Sequence, residues 1–168
     1  MGGRAGLDSD VLVAAVLRPT GASAAILLEL EQRAFQLVYS DPMLDEVRAT
    51  LGDPTLRTRY KVTEPDVTLL LAGSRRYGRK ITLKGMTGLS DDPGDDKVVE
   101  TALKGHAQVL VTFNLGHFAK GKASRVLGRA RVSVMSPAEF LGRLRGKPAP
   151  QRRRAGRALG RMIRRRGG

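Results

Sequence analysis

Apolar positions along the chain fall into short runs whose period alternates between two and about 3.6, and prolines or glycines stand at most of the switches. Residues 4–8 read as a buried strand running into a turn, and 11–17 continue apolar, as a helix packed on a sheet does. Pro19 and Gly21 break that segment, after which 22–32 carries Ile26, Leu27 and Leu30 at helical spacing. Residues 35–39 are rich in β-formers and predict the next strand. Ser40, Asp41 and Pro42 then offer a hydroxyl cap, an acid for the first turn and a proline where no amide donor is needed. The helix they open has Leu44, Val47 and Leu51 on one stripe. Thr63, Glu64, Pro65 and Asp66 repeat that grammar and start a helix toward Tyr77, which Gly78 stops.

Residues 81–83 predict a short strand. A helix over 95–104 buries Val98, Val99, Ala102 and Leu103 and ends at Gly105. The most strongly patterned strand is 107–113, and 131–135 is the last. Ser136 and Pro137 cap a final short helix through Leu144. Strands alternating with helices imply parallel βαβ units, hence an α/β fold with a doubly wound sheet.

A length of 168 residues suits one domain. The formal net charge of +14 is unevenly placed: residues 145–168 hold nine Arg and one Lys with no acid, leaving +4 for the first 144. We therefore expect a domain over 1–144 and a basic tail over 145–168 that is disordered when free, because its Pro/Gly/Arg composition cannot supply a core. On an anionic surface Ala155, Leu159, Met162 and Ile163 would make that tail a basic amphipathic helix. Such a charge favours a polyanionic partner, with nucleic acid first. Tyr and Phe total only seven, so extensive base stacking is not expected.

The absence of cysteine excludes disulfides, a thiolate nucleophile and Cys-ligated zinc. No apolar run approaches the ~20 residues of a membrane span, and residues 1–10 lack a signal's apolar stretch, so a cytoplasmic protein with no membrane partner is expected. Phosphate-loop, dinucleotide-binding and zinc-protease patterns are missing.

In open α/β sheets ligands bind beyond the carboxyl ends of the strands. Asp8 and Asp10 follow the first strand there; Asp41, Asp45 and Glu46 follow the second; Asp91, Asp92, Asp95 and Asp96 sit before and at the start of the later helix; Asn114 and His117 follow the 107–113 strand. Carboxylates gathered together repel one another unless a cation lies among them, and oxygen ligands suit Mg²⁺ or Mn²⁺. The competing roles are structural: a turn residue for Asp8, a solvated helix edge for Glu46, a helix cap for Asp96 with Asp92 or Asp95 as alternatives, and a plain strand threonine for Thr112.

Five segments in order resemble one family. Residues 7–12 (LDSDVL) are similar to the opening LDTNVL of PIN domains, and 40–47 (SDPMLDEV) resembles their second acidic motif, with Glu46 as its acid. Residues 92–97 (DPGDDK) resemble DPDDDK with Asp96 as the third acid, 112–118 (TFNLGHF) resembles TFNLKDF, and 136–141 (SPAEFL) resembles TPAEFL. The likeness is to the toxin components of toxin–antitoxin systems. It implies a three-layer α/β/α fold with a mostly parallel central sheet and an endonuclease that hydrolyses single-stranded RNA with Mg²⁺ or Mn²⁺. By the same resemblance Asp8, Glu46 and Asp96 hold the metal with Asn114 assisting, and the partners are RNA, an antitoxin protein and a second copy in a homodimer. The chain departs from the pattern where Asp10 replaces an Asn, and where Asn114 and His117 stand in place of an Asp. Those departures support an alternative: a catalytically weak PIN-like scaffold that binds RNA or protein.

Overall fold

The computed structural model describes residues 2–146 and 158–168, the side chain of Ala158 excepted. Five strands, β1 (Arg4–Leu7), β2 (Gln36–Tyr39), β3 (Gly78–Lys80), β4 (Val109–Val111) and β5 (Ser133–Met135), form one sheet in the order β3-β2-β1-β4-β5, with every pairing parallel. The helices between them are α1 (Ser9–Leu17), α2 (Ala22–Glu31), α3 (Asp41–Leu51), α4 (Pro54–Tyr60), α5 (Glu64–Tyr77), α6 (Asp96–Lys104), α7 (Leu115–Phe118), α8 (Gly121–Arg129) and α9 (Pro137–Arg145). A last helix, α10 (Ala158–Gly167), follows.

Strand alternation separates two cores. Ala5, Leu7, Leu37, Tyr39, Val109 and Val111 face a cluster with α1, α2, α5, α9 and α10. Val38 and Leu110, one residue out of phase, face a second cluster with α6, α7 and α8. The fold is thus a three-layer α/β/α sandwich, and its sheet is parallel throughout. Helix starts follow the local grammar of the sequence: Thr63 and Asp66 form a reciprocal capping box on α5, and Ser136 and Glu139 form another on α9.

Three features differ from the sequence-based expectation. The third strand lies at 78–80 rather than 81–83, because Tyr39 fixes the register and only the Ile81 amide continues the ladder, to the Tyr39 carbonyl at 2.7 Å. Beyond it the chain is held as a loop by buried Glu100, which accepts the Lys84 amide at 2.5 Å and the Met86 amide at 3.0 Å. Second, α4 and α8 were not expected. No residue of α4 is buried, so it writes no hydrophobic stripe, whereas α8 packs a short one, Ala123, Val126 and Leu127, against the second core.

The third difference is the C-terminus. Residues 147–157 lie outside the described residues, but α10 is folded onto the domain rather than loose. Leu159, Met162 and Ile163, at i, i+3 and i+4, are buried in the first core. Leu159 rests on Gly73, where a Cβ would come within 2.4 Å of it. Glu31 accepts the Gly160 amide at 2.9 Å. Arg166 donates to the Val16 carbonyl at 2.6 Å, to the Lys61 carbonyl at 3.0 Å, to Asp66 at 2.8 Å and to the Tyr60 carbonyl. The apolar positions of this helix were visible in the sequence; what composition did not show is that they pack on the domain's own core and that Asp66 receives the arginine.

Candidate metal centre

β1 and β4 are neighbours whose following helices go to opposite faces, α1 to the first core and α7 and α8 to the second. Where the windings part in this way, a crevice opens beyond the strand ends. Asp8 stands at its centre. Leu7 pairs with Val111, and the Asp8 amide continues the ladder to the Val111 carbonyl at 2.9 Å. The Asp8 carboxylate caps α1 by accepting the Ser9 amide at 2.8 Å and accepts the Thr112 hydroxyl at 2.9 Å. Thr112 is therefore more than a strand residue: it fixes the rotamer of Asp8.

Asp10, in the first turn of α1, accepts the Asn114 side-chain amide at 3.3 Å, and the Asn114 backbone amide donates to Thr112 at 3.0 Å. Glu46 arrives from α3 and shares a wall of the crevice with Asp10. Its partner is Lys97 of α6, at 2.7 Å. The two helices are held in register by the buried pair Thr101 and Ser40, at 2.9 Å. Asp95 ends the 3₁₀ turn before α6 and meets His117 Nδ1 at 2.9 Å.

Burial raises the Asp8 carboxyl above the usual carboxylate range; Thr112 and Ser9 pull it down, and the charges of Asp95 and Glu46 push it further up. Asp10 is pushed up to about 7, first by burial and then by the charge of Asp8. One Asp10 oxygen, Oδ1, is buried with no hydrogen-bond partner among the described residues. An all-carboxylate set, two of its members destabilised as anions and one presenting an unpartnered buried oxygen, fits a hard divalent cation.

Of the residues expected to hold metal, the structure brings Asp8 and Glu46 together, with Asn114 beside them acting on Asp10. Asp96 is differently engaged. Its Oδ1 accepts the Leu89 amide at 3.0 Å and the Ser90 amide at 2.8 Å, and its Oδ2 accepts the Gly88 amide at 3.0 Å. It ties down the loop before α6, and Asp95 is the acid of that motif whose charge reaches Asp8. Asp95 also belongs to a group with Asp92 and His117 in which one ligand atom from each lies within 4.8 Å of the others.

A family model for the PIN domain matches residues 4–116. The chain belongs to the PIN domain family. No curated protein and no solved structure matches it. PIN domains are generally nucleases and typically use divalent metals, which agrees with a nuclease fold carrying an acidic cluster able to hold a cation. In this PIN domain the sequence did not show the pairing of Asp95 with His117, Lys97 as the counter-ion of Glu46, or Phe113 and Tyr60 beside the crevice. The glycines at 85 and 88 were the one available signal, and for the loop only: both adopt positive φ, 76° and 71°, and the Gly88 amide donates to Asp96. Among the described residues, no single helix is long and apolar enough to cross a membrane.

Proposed function

We propose that the protein is a metal-dependent endoribonuclease that hydrolyses phosphodiester bonds in single-stranded RNA. The observations that support this reading are the coupling of Asp8 to Asp10 through Thr112 and Asn114, the wall that Asp10 shares with Glu46, and the pairing of Asp95 with His117, in a chain whose net charge is +14. Asp8, Glu46 and Asp95 would hold Mg²⁺ or Mn²⁺, with Asp10 completing the carboxylate wall. Such a cation acidifies water and neutralises charge on a phosphate under attack. The protein's own contribution is to fix the acids: Thr112 holds Asp8, Asn114 holds Asp10, and Lys97 balances Glu46. Basic side chains on the surface engage backbone phosphates, so affinity falls as salt is added.

The motif resemblance extends the proposal to the toxin of a toxin–antitoxin pair, active as a homodimer and silenced by an acidic segment of its antitoxin. The test is incubation of the purified protein with single-stranded RNA and Mn²⁺, with and without EDTA. Cleavage that EDTA abolishes is expected. Losing even a residue that supports a metal ligand costs about 10–100-fold, so Asp8→Asn should lower cleavage by more than about 100-fold. Binding of RNA without cleavage would support the scaffold reading that Asn114 and His117 suggest, and equal cleavage by the variant would reject the site.

A further inference from the structure

The acid crevice continues sideways into a cleft of about 460 Å³ that runs along one face of α1. Asp10, Val13, Ala14 and Leu17 line it at i, i+3, i+4 and i+7, and Tyr60 and Phe113 form its sides. Its volume lies in the ~300–1,000 Å³ range of pockets that hold small organic groups. The two ends differ in chemistry. Asp10 and Glu46 belong both to the cleft and to the acid cluster, whereas Arg18, at the C-terminal end of α1, brings a guanidinium to the cleft lining.

The walls are built rather than left over. Arg166 reaches from α10 to the carbonyls of Val16, Tyr60 and Lys61, which joins the ends of α1 and α4 and fixes the backbone that carries Tyr60. Phe113 is 52% exposed although its neighbours Val111 and Thr112 are fully buried. An aromatic face beside carboxylates and within the reach of an arginine suits a flat, apolar ring attached to phosphates on either side.

We propose that this cleft is a base-binding subsite: it takes the nucleobase next to the scissile phosphate, stacked on Phe113 and lying over the apolar stripe of α1, while Arg18 meets the following phosphate. The proposal rests on the nuclease reading, since only a strand whose phosphate lies at Asp8 would carry a base into the adjoining cleft. Continuity with the acid cluster selects this occupant: any group in the cleft lies directly beside Asp10 and Glu46.

The test compares two short 2′-O-methylated RNA strands of equal charge, one with bases and one fully abasic, titrated by fluorescence anisotropy into wild type and Phe113→Ala. Base–aromatic stacking predicts that the variant loses about 5- to 100-fold in affinity for the base-bearing strand and nothing for the abasic one. Because the chain has no tryptophan, Phe113→Trp adds a lone emitter, whose fluorescence should be quenched by the base-bearing strand alone. If wild type binds the base-bearing strand and Phe113→Ala binds it equally well, the subsite is rejected and the cleft is left to another occupant, such as an apolar side chain of a protein partner. If wild type binds neither strand, the nuclease reading falls and the subsite falls with it.

Discussion

Asp95 and Asp96 are chain neighbours with different partners, His117 for the first and the amides of residues 88–90 for the second. At a helix start, consecutive side chains diverge by about 100°, so only one of the pair can face the crevice while the other turns back to the loop. Asp95→Asn is therefore expected to weaken Mn²⁺ binding in calorimetric titration and leave thermal stability nearly unchanged. Asp96→Asn removes a charged acceptor from three backbone amides. A loss of about 2 kcal/mol follows, a fall in Tm of about 4–8 °C, with Mn²⁺ affinity less affected. The reverse pattern would reinstate Asp96 as the ligand. Lys97 offers a second check. Its ammonium occupies Glu46 at 2.7 Å, and both groups are partly exposed, so Lys97→Met should tighten Mn²⁺ binding modestly, by about two- to five-fold. Unchanged or weaker binding would show that Lys97 does not compete with the cation. The motif letters revealed that acids gather here, but not which oxygen turns inward, because that choice depends on the loop at 88–90 and its amides.

Among the elements, α10 has the clearest energetic signature. Met162→Ala should cost about 2–5 kcal/mol, as other truncations of buried Leu, Ile and Met do, and urea unfolding measures it directly. No change in midpoint would return the C-terminus to the status of a free tail. Asp66 couples this helix to pH. Burial raises its carboxyl, but the Thr63 amide and hydroxyl and the Arg166 guanidinium outweigh that and leave it below the ordinary range. A carboxyl lowered in the folded state adds stability above the unfolded value of ~3.9 and loses it as pH falls through the folded one. The stability gap between wild type and Asp66→Asn should thus be constant from pH 7 to 5 and shrink below about pH 4. A gap equally wide at pH 3 would contradict the ion pair. The elements that the sequence shows best are those with a buried stripe, such as α3, α5 and α6; of these only α5 has the side-chain cap the sequence predicts, since the Ser40 hydroxyl expected to cap α3 pairs with Thr101 instead. α4 buries nothing and so leaves no periodic trace, the stripe of α8 is only three residues between glycines and basic residues, and the docking of α10 depends on partners more than a hundred residues away, as with Glu31 and Gly160.

At the scale of the whole molecule, topology turns scattered acids into one site. The alternation of strands and helices implied a parallel, doubly wound sheet, so a rim carrying Asp8, Glu46 and Asn114 was legible in the sequence; the strand order that puts the reversal between β1 and β4 was not. The aromatic wall was not, since Phe113 and Tyr60 become neighbours only through α4. The basic excess also acquires a place, because α10 braces Tyr60 and exposes Arg161 and Arg164 nearby on the same helix. Neutralising both to Gln should flatten the salt dependence of RNA affinity by about 0.7 in log–log slope for each phosphate no longer neutralised, with Tm unaltered; an unchanged slope would place the strand elsewhere. Convergence of distant carboxylates on one divalent ion can be seen by anomalous scattering from a crystal soaked in Mn²⁺. A peak bounded by Asp8, Glu46 and Asp95, with Lys97 withdrawn from Glu46, is the predicted result. A peak confined to Asp92 and His117, or none at all, would contradict it.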